Sequence, residues 1–278
     1  MDDISIGTNL SPSIRNVLEL EDYVICDTSI SVSENSWCRN QIYETDRFSQ
    51  LDLCVLQRVT KSLSSFSEIL TYEKVISLKE VSKEIKRARE IVREKICFLE
   101  SEDSHGGNGR YHKSKQEVLL HKIRDLYHDS YLRARSSPRF KQTECRALEK
   151  LVLQSSEETS SREDHLRKRN SKKYPYLYTD EKIVALSLYL SSVEDKKGCI
   201  LTRDKDIRLI LLHTLNYLHS LRTYEAKGIL KRISANPIKI YNYSENCPLF
   251  LDFDSSDRPS NKSRRASRRD SYFMGSIF

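Results

Sequence analysis

The sequence lacks the signatures of several common classes. None of its apolar runs reaches the roughly 18 residues that a membrane-spanning helix needs, and it contains no internal repeat. Its seven cysteines include no C-x-x-C pair, which argues against a zinc ribbon or finger. There is no H-E-x-x-H helix, no P-loop and no dinucleotide-binding glycine pattern. The first residues, MDDISIGTNLSPS, begin acidic and lack the basic start and apolar core of a secretory signal. The expectation is an intracellular protein, cytoplasmic or nuclear, with no membrane partner. Cys26, Cys38, Cys54, Cys97, Cys145, Cys199 and Cys247 are scattered and odd in number, and read as reduced, buried thiols. The seven histidines are also dispersed; His121 with His128, and His213 with His219, read as surface or packing residues.

What the sequence does have is charge, unevenly spread. Charged residues make up 31% of the 278 positions and hydrophobic residues 38%, enough for a wet surface over a buried core. Between Ser101 and Tyr174 there are 17 Lys/Arg against 11 Asp/Glu, and from Arg258 onward six against one. Since the whole chain carries +7, the rest is slightly acidic. An acidic body with basic flanks suits a carboxylate-bearing site beside surfaces that attract a polyanion.

The pattern of elements is α/β. Residues 1–19 read as a peripheral lead-in. Tyr23-Val24-Ile25-Cys26 is a continuous apolar run of strand formers, as in a strand buried on both faces, and it ends in Asp27-Thr28-Ser29, a helix-cap signal. Apolar residues from Ile42 through Phe48, Leu51, Val55, Val59 and Leu63 to Phe66 predict a helix over about 40–66. Further strands are predicted at Lys74–Leu78, Gly198–Thr202 and Pro237–Tyr241. Further helices are predicted at Lys79–Leu99, Lys115–Arg135, Arg139–Gln154, Asp180–Ser192, where Thr179 can cap, and Ile207–Leu221. This alternation implies a three-layer α/β/α domain over 20–243 with a mostly parallel central sheet. A basic helical insert and polar loop, 101–173, interrupts it, and a basic, disordered low-complexity tail, 244–278, follows.

In a parallel α/β sheet, ligands bind beyond the carboxyl ends of the strands. Asp27 ends the first predicted strand; Asp204 follows the Gly198–Thr202 strand, with Asp206 just beyond; Asp180 opens a helix. Singly, each acid is explained by capping or by the helix dipole. Jointly, clustered carboxylates repel and need a hard cation such as Mg²⁺ or Mn²⁺. A cation so held acidifies a water and stabilises charge on a phosphate, which is the chemistry of phosphodiester hydrolysis.

Four segments resemble the PIN-like nucleases in order and content. They are Tyr23-Val24-Ile25-Cys26-Asp27-Thr28-Ser29; Val75-Ile76-Ser77-Leu78-Lys79-Glu80-Val81-Ser82-Lys83-Glu84-Ile85; Tyr178-Thr179-Asp180-Glu181-Lys182-Ile183; and the T-x-D-x-D stretch Thr202-Arg203-Asp204-Lys205-Asp206. The resemblance covers about residues 20–100 and 174–243. It implies a catalytic acid set of Asp27, Glu84, Asp180 and Asp204, with Asp206 as a further metal ligand, and with Glu80, one helical turn away, as the alternative to Glu84. It implies that Thr28 and Thr202 orient these carboxylates, that Mg²⁺ or Mn²⁺ is the cofactor, and that single-stranded or structured RNA is cut to 5′-phosphate and 3′-hydroxyl ends. Lys113, Lys115, Lys122, Arg124, Arg133 and Arg135, interleaved with Tyr111, Tyr127 and Tyr131, are candidates for tracking an RNA backbone and stacking on bases. The Arg/Ser tail around Arg264-Arg265-Ala266-Ser267 is a candidate contact for protein partners. Two alternatives to a metal-dependent endoribonuclease remain: a non-catalytic PIN-like RNA-binding or scaffold protein, and a DNA-directed structure-specific nuclease.

Overall fold

The computed structural model describes residues 10–30, 44–103, 114–136, 142–158, 179–243 and 249–251. In chain order the elements are α1 (Pro12–Leu20), β1 (Tyr23–Cys26), α2 (Leu53–Ile69), β2 (Val75–Ile76), α3 (Lys79–Asp103), α4 (Lys115–Ser136), α5 (Gln142–Glu158), α6 (Thr179–Ser192), β3 (Gly198–Thr202), α7 (Lys205–Leu221), α8 (Tyr224–Ala235), β4 (Ile238–Asn242) and β5 (Leu249–Leu251). Short 3₁₀ turns lie at Thr28–Ile30 and Phe48–Gln50.

The strands form one sheet in the order β2-β1-β3-β4-β5, with the first four parallel. β3 pairs with β4 from Gly198 opposite Ile238 to Thr202 opposite Asn242; α7 and α8 supply the helical crossover that a parallel pair requires. β5 joins β4 antiparallel. Every residue of β1 and of β3 is buried, as expected of inner strands covered on both faces. The fold class is therefore α/β.

By contacts the chain divides into two compact units. The first holds the described residues of 1–20, 26–139 and 243–247. Its core is a helical one, in which α4 packs on α2 and on α3. Leu56, Val59, Leu63 and Phe66 of α2, Val81, Ile85, Val92, Ile96 and Leu99 of α3, and Leu120, Ile123 and Tyr127 of α4 are all buried, at the spacings of three, four and seven that put side chains on one helical face. α2 is rich in serine, and the buried Ser62 Oγ donates to the Ile30 carbonyl at 3.2 Å. Arg133 of α4 donates to the Ser67 carbonyl at 2.6 Å, tying α4 to the end of α2.

The second unit holds the described residues of 21–25, 140–242 and 248–278. Here α6 is the central helix, buried on all sides, with α5, α7 and α8 against it. The buried pair Ser155 and Thr214, 2.9 Å apart, links α5 to α7. Glu21, itself buried, accepts from Lys239 Nζ at 2.8 Å and from the Tyr241 hydroxyl at 3.3 Å, which satisfies a charge that would otherwise be costly to desolvate. Among the described residues no helix is long and apolar enough to cross a membrane.

Several elements differ from expectation. The stretch 1–19 is not merely a lead-in: Pro12–Leu20 is a helix that buries Ile14, Val17 and Leu18, and Ser11 Oγ accepts from the Ile14 amide at its start. Serine before proline is an N-terminal helix signature. The helix expected from about residue 40 starts instead at Leu53, because the Asp52 side chain accepts from the amides of Cys54 and Val55 and fixes the first turn there. Phe48 and Leu51 are buried but lie outside that helix. α8 and β5 were not anticipated, and β5 falls within the span assigned to the tail. Cys54 and Cys97 are exposed thiols, whereas Cys26, Cys145 and Cys199 are buried as expected. The two helices of the 101–173 stretch each contribute to a core, α4 to the first unit and α5 to the second.

Candidate functional site

β1 is four residues long because its apolar run is four residues long, and Asp27 is the first polar residue after it. Asp27 is only 3% exposed. Its Oδ2 accepts from the Ser29 amide at 3.3 Å, and its Oδ1 lies 3.3 Å from the Thr28 hydroxyl. The same hydroxyl donates to Glu84 Oε2 at 2.5 Å, across 56 positions of sequence. A hydroxyl carries one proton. The short bond to Glu84 takes it, and the longer contact to Asp27 is correspondingly weak. The two oxygens, bridged by one hydroxyl, lie within about 6 Å of each other, close enough for like charges to repel unless a cation joins them. Glu84 itself is half-buried on α3.

Next to Asp27, burial and the Asp27 carboxylate push the Cys26 thiol far above its ordinary range. Cys26 is therefore a protonated core thiol and no nucleophile. Burial likewise raises the Tyr23 phenol well beyond its ordinary value, and its hydroxyl donates to the Ser187 carbonyl of α6 at 3.2 Å.

The remaining acids belong to the second unit. Asp204 is the N-cap of α7: it has an extended backbone, and its Oδ1 accepts from the Asp206 amide at 2.8 Å. The Thr202 hydroxyl, at the end of β3, accepts from the Asp204 amide at 2.8 Å. Thr202 thus fixes the backbone of Asp204, and Asp204 fixes the first turn of α7. Asp206 lies in that first turn and is half-buried; Asp180 lies in the first turn of α6 and is also half-buried. The structure thus brings Asp27, Thr28 and Glu84 together within one unit, and Thr202, Asp204 and Asp206 within the other.

The candidate RNA-binding cations sit on α4, apart from Lys113, which with Tyr111 lies outside the described residues. Lys115, Lys122 and Arg135 are exposed. Arg124 is paired with its neighbour Asp125 at 2.7 Å. Arg133 is engaged with the Ser67 carbonyl, and Tyr127 is a core residue, so neither presents a free face for a ligand. The tail after residue 251 lies outside the described residues.

One further group of potential ligands lies outside the residues predicted from sequence. Glu100 of α3 and Glu117 and His121 of α4 bring one ligand atom each to within 4.8 Å of one another. The signal was present as a Glu and a His four apart on one helix, a spacing that faces both side chains the same way. The third member, from a separate helix, is not legible without the fold. Comparison of the chain with protein-family models, with curated proteins and with solved structures returns no match.

Proposed function

We propose that the chain is a metal-dependent endoribonuclease with a PIN-like, three-layer α/β/α fold. The observation that carries this reading is the Thr28 hydroxyl held between Asp27 and Glu84. A carboxylate at the end of an inner strand and one from a following helix, drawn to a single hydroxyl, suit a site that uses charge more than they suit a structural cap. The donors are all carboxylate oxygens, which fit a hard cation such as Mg²⁺ or Mn²⁺. Such a cation supplies an acidified water and charge neutralisation at a phosphate. Asp27 and Glu84 would hold it, and the resemblance to PIN-like nucleases adds Asp180, Asp204 and Asp206 to the ligand set. Thr28 keeps Glu84 and Asp27 oriented. The exposed Lys115, Lys122 and Arg135 offer contacts to a polyanion backbone.

A second reading, a non-catalytic RNA-binding or scaffold protein, gains support from Asp204. Its capping role gives that acid a reason to be present without any chemistry. The DNA-directed reading is the weaker one, since α4 and α5 each bury a face in a core and leave less surface to grip a DNA structure.

The deciding experiment incubates the purified chain with labelled single-stranded RNA and Mn²⁺ or Mg²⁺, beside EDTA and beside Asp27→Asn with Glu84→Gln. Cleavage lost in both controls is the expected result. RNA bound but uncut by the wild type gives the scaffold reading, and equal cutting of matched DNA gives the DNA-directed one.

A further inference from the structure

We infer that Glu100, Glu117 and His121 form a second divalent-cation site, suited to Zn²⁺ and separate from the acids proposed for nuclease chemistry. All three residues lie within the first unit, on two helices packed directly against each other. His121 Nε2 is 3.4 Å from Glu100 Oε1 and 3.9 Å from Glu117 Oε1. Although buried, it makes no hydrogen bond among the described residues. It is near enough to both carboxylates for charge to matter, yet bonded to neither.

Those separations have a simple meaning in coordination chemistry. Two ligands each about 2.0–2.1 Å from a tetrahedral Zn²⁺ stand roughly 3.3 Å apart. The Glu100–His121 distance of 3.4 Å has that edge length, and the Glu117–His121 distance of 3.9 Å corresponds to a wider angle at the metal. The donor set, one imidazole nitrogen and two carboxylate oxygens, is one that Zn²⁺ accepts, with a fourth position left for water. It differs from the all-oxygen set at Asp27 and Glu84, which favours harder cations.

Glu117 is 1% exposed and enters the group from the protein interior. Glu100, by contrast, is exposed and leaves a way in from solvent. Joined through a metal, Glu100 would fasten the end of α3 to the first two turns of α4. The competing arrangement holds the same three side chains together with no metal at all.

Glu117 also stands third after Ser114, whose hydroxyl accepts from the Glu117 amide at 3.1 Å and caps α4. Gln serves that position of a capping box as well as Glu does. Glu117→Gln therefore removes the charge and leaves the cap.

The test is Zn²⁺ titration of the chelator-treated full chain by calorimetry at pH 7.5, with thermal unfolding measured in parallel. Wild type is expected to bind one equivalent of Zn²⁺ and to melt at higher temperature in its presence. His121→Ala and Glu117→Gln should each weaken that event at least tenfold and abolish the melting shift. Failure of the wild type to bind Zn²⁺ would overturn the proposal in favour of the metal-free arrangement. So would undiminished binding in a folded His121→Ala variant, which would trace the metal to the exposed Cys54 or Cys97 or to the other acids. None of these outcomes depends on whether the chain cuts RNA.

Discussion

The ring of Tyr23 lies where a side chain on residue 198 would have to go: a Cβ added at Gly198 would come 2.4 Å from Cδ1 and Cε1 of the tyrosine. Gly198 opens β3 and Tyr23 opens β1, so this close approach packs the beginnings of two strands. The ring has little room to retreat, being 2% exposed and held through its hydroxyl to the Ser187 carbonyl. Gly198→Ala should therefore destabilise the protein by about 1–3 kcal/mol, the usual cost of overpacking a well-filled core. Denaturant unfolding reads this directly, and the cost should shrink when Tyr23→Leu is already present. An unchanged midpoint for Gly198→Ala would mean that the ring moves freely, against the geometry described.

Asp204 separates structure from chemistry. As N-cap it needs only a side-chain oxygen to accept from the Asp206 amide, and Asn has one. Asp204→Asn should leave the melting temperature close to wild type and still remove metal-dependent RNA cleavage, because it removes a charge from the proposed ligand set. Asp204→Ala should lose cleavage and also about 1 kcal/mol of stability. Full cleavage by a stable Asp204→Asn variant would leave Asp204 with a capping role alone.

The α/β alternation, β3 to the residue and the acid at the end of β1 were legible in sequence because each depends on local pattern. Tyr23–Cys26 is apolar throughout and then stops at Asp27, and the apolar run Cys199–Leu201 ends at Thr202, two residues before Asp204. The start of α2 was missed because Phe48 and Leu51 continue the apolar spacing although they lie outside the helix, while the cap that stops it, Asp52, is a single residue. α1 is nine residues long and β5 three, too short for periodicity to separate them from a lead-in or a tail. The bridge from Thr28 to Glu84 spans 56 positions, and no local pattern carries such a contact. The same holds for Glu100 with His121. It holds also for Arg133, whose partner is a carbonyl of α2 and whose charge alone suggested a different role.

The bridging hydroxyl of Thr28 gives a graded prediction. Thr28→Val keeps the shape and removes the proton that Glu84 accepts, whereas Thr28→Ser keeps the hydroxyl. Residues that orient metal ligands cost roughly 10- to 100-fold in metal affinity or activity when lost. Metal-dependent cleavage by Thr28→Val should fall by that order, and titration with Mn²⁺ should show a weaker apparent affinity. Thr28→Ser should stay close to wild type. Equal activity in both variants would show that Asp27 and Glu84 do not depend on this bridge.

The basic face of α4 divides into groups that should behave differently. Lys115, Lys122 and Arg135 are exposed, and Arg133 donates to the Ser67 carbonyl. If RNA lies along this helix, replacing Lys115, Lys122 and Arg135 by Ala should weaken single-stranded RNA binding to a similar degree for every sequence tried. It should also flatten the salt dependence, by roughly 0.7 in log–log slope for each phosphate that is no longer neutralised. Arg133→Met should instead lower stability by about 1–3 kcal/mol, since the Ser67 carbonyl loses a charged donor, and should leave the salt slope unchanged. Fluorescence anisotropy at several salt concentrations, set beside thermal unfolding, measures both. A triple alanine variant with an unaltered slope would move the RNA off α4 altogether, whereas a flattened slope for Arg133→Met would mean that its guanidinium reaches phosphate as well as Ser67.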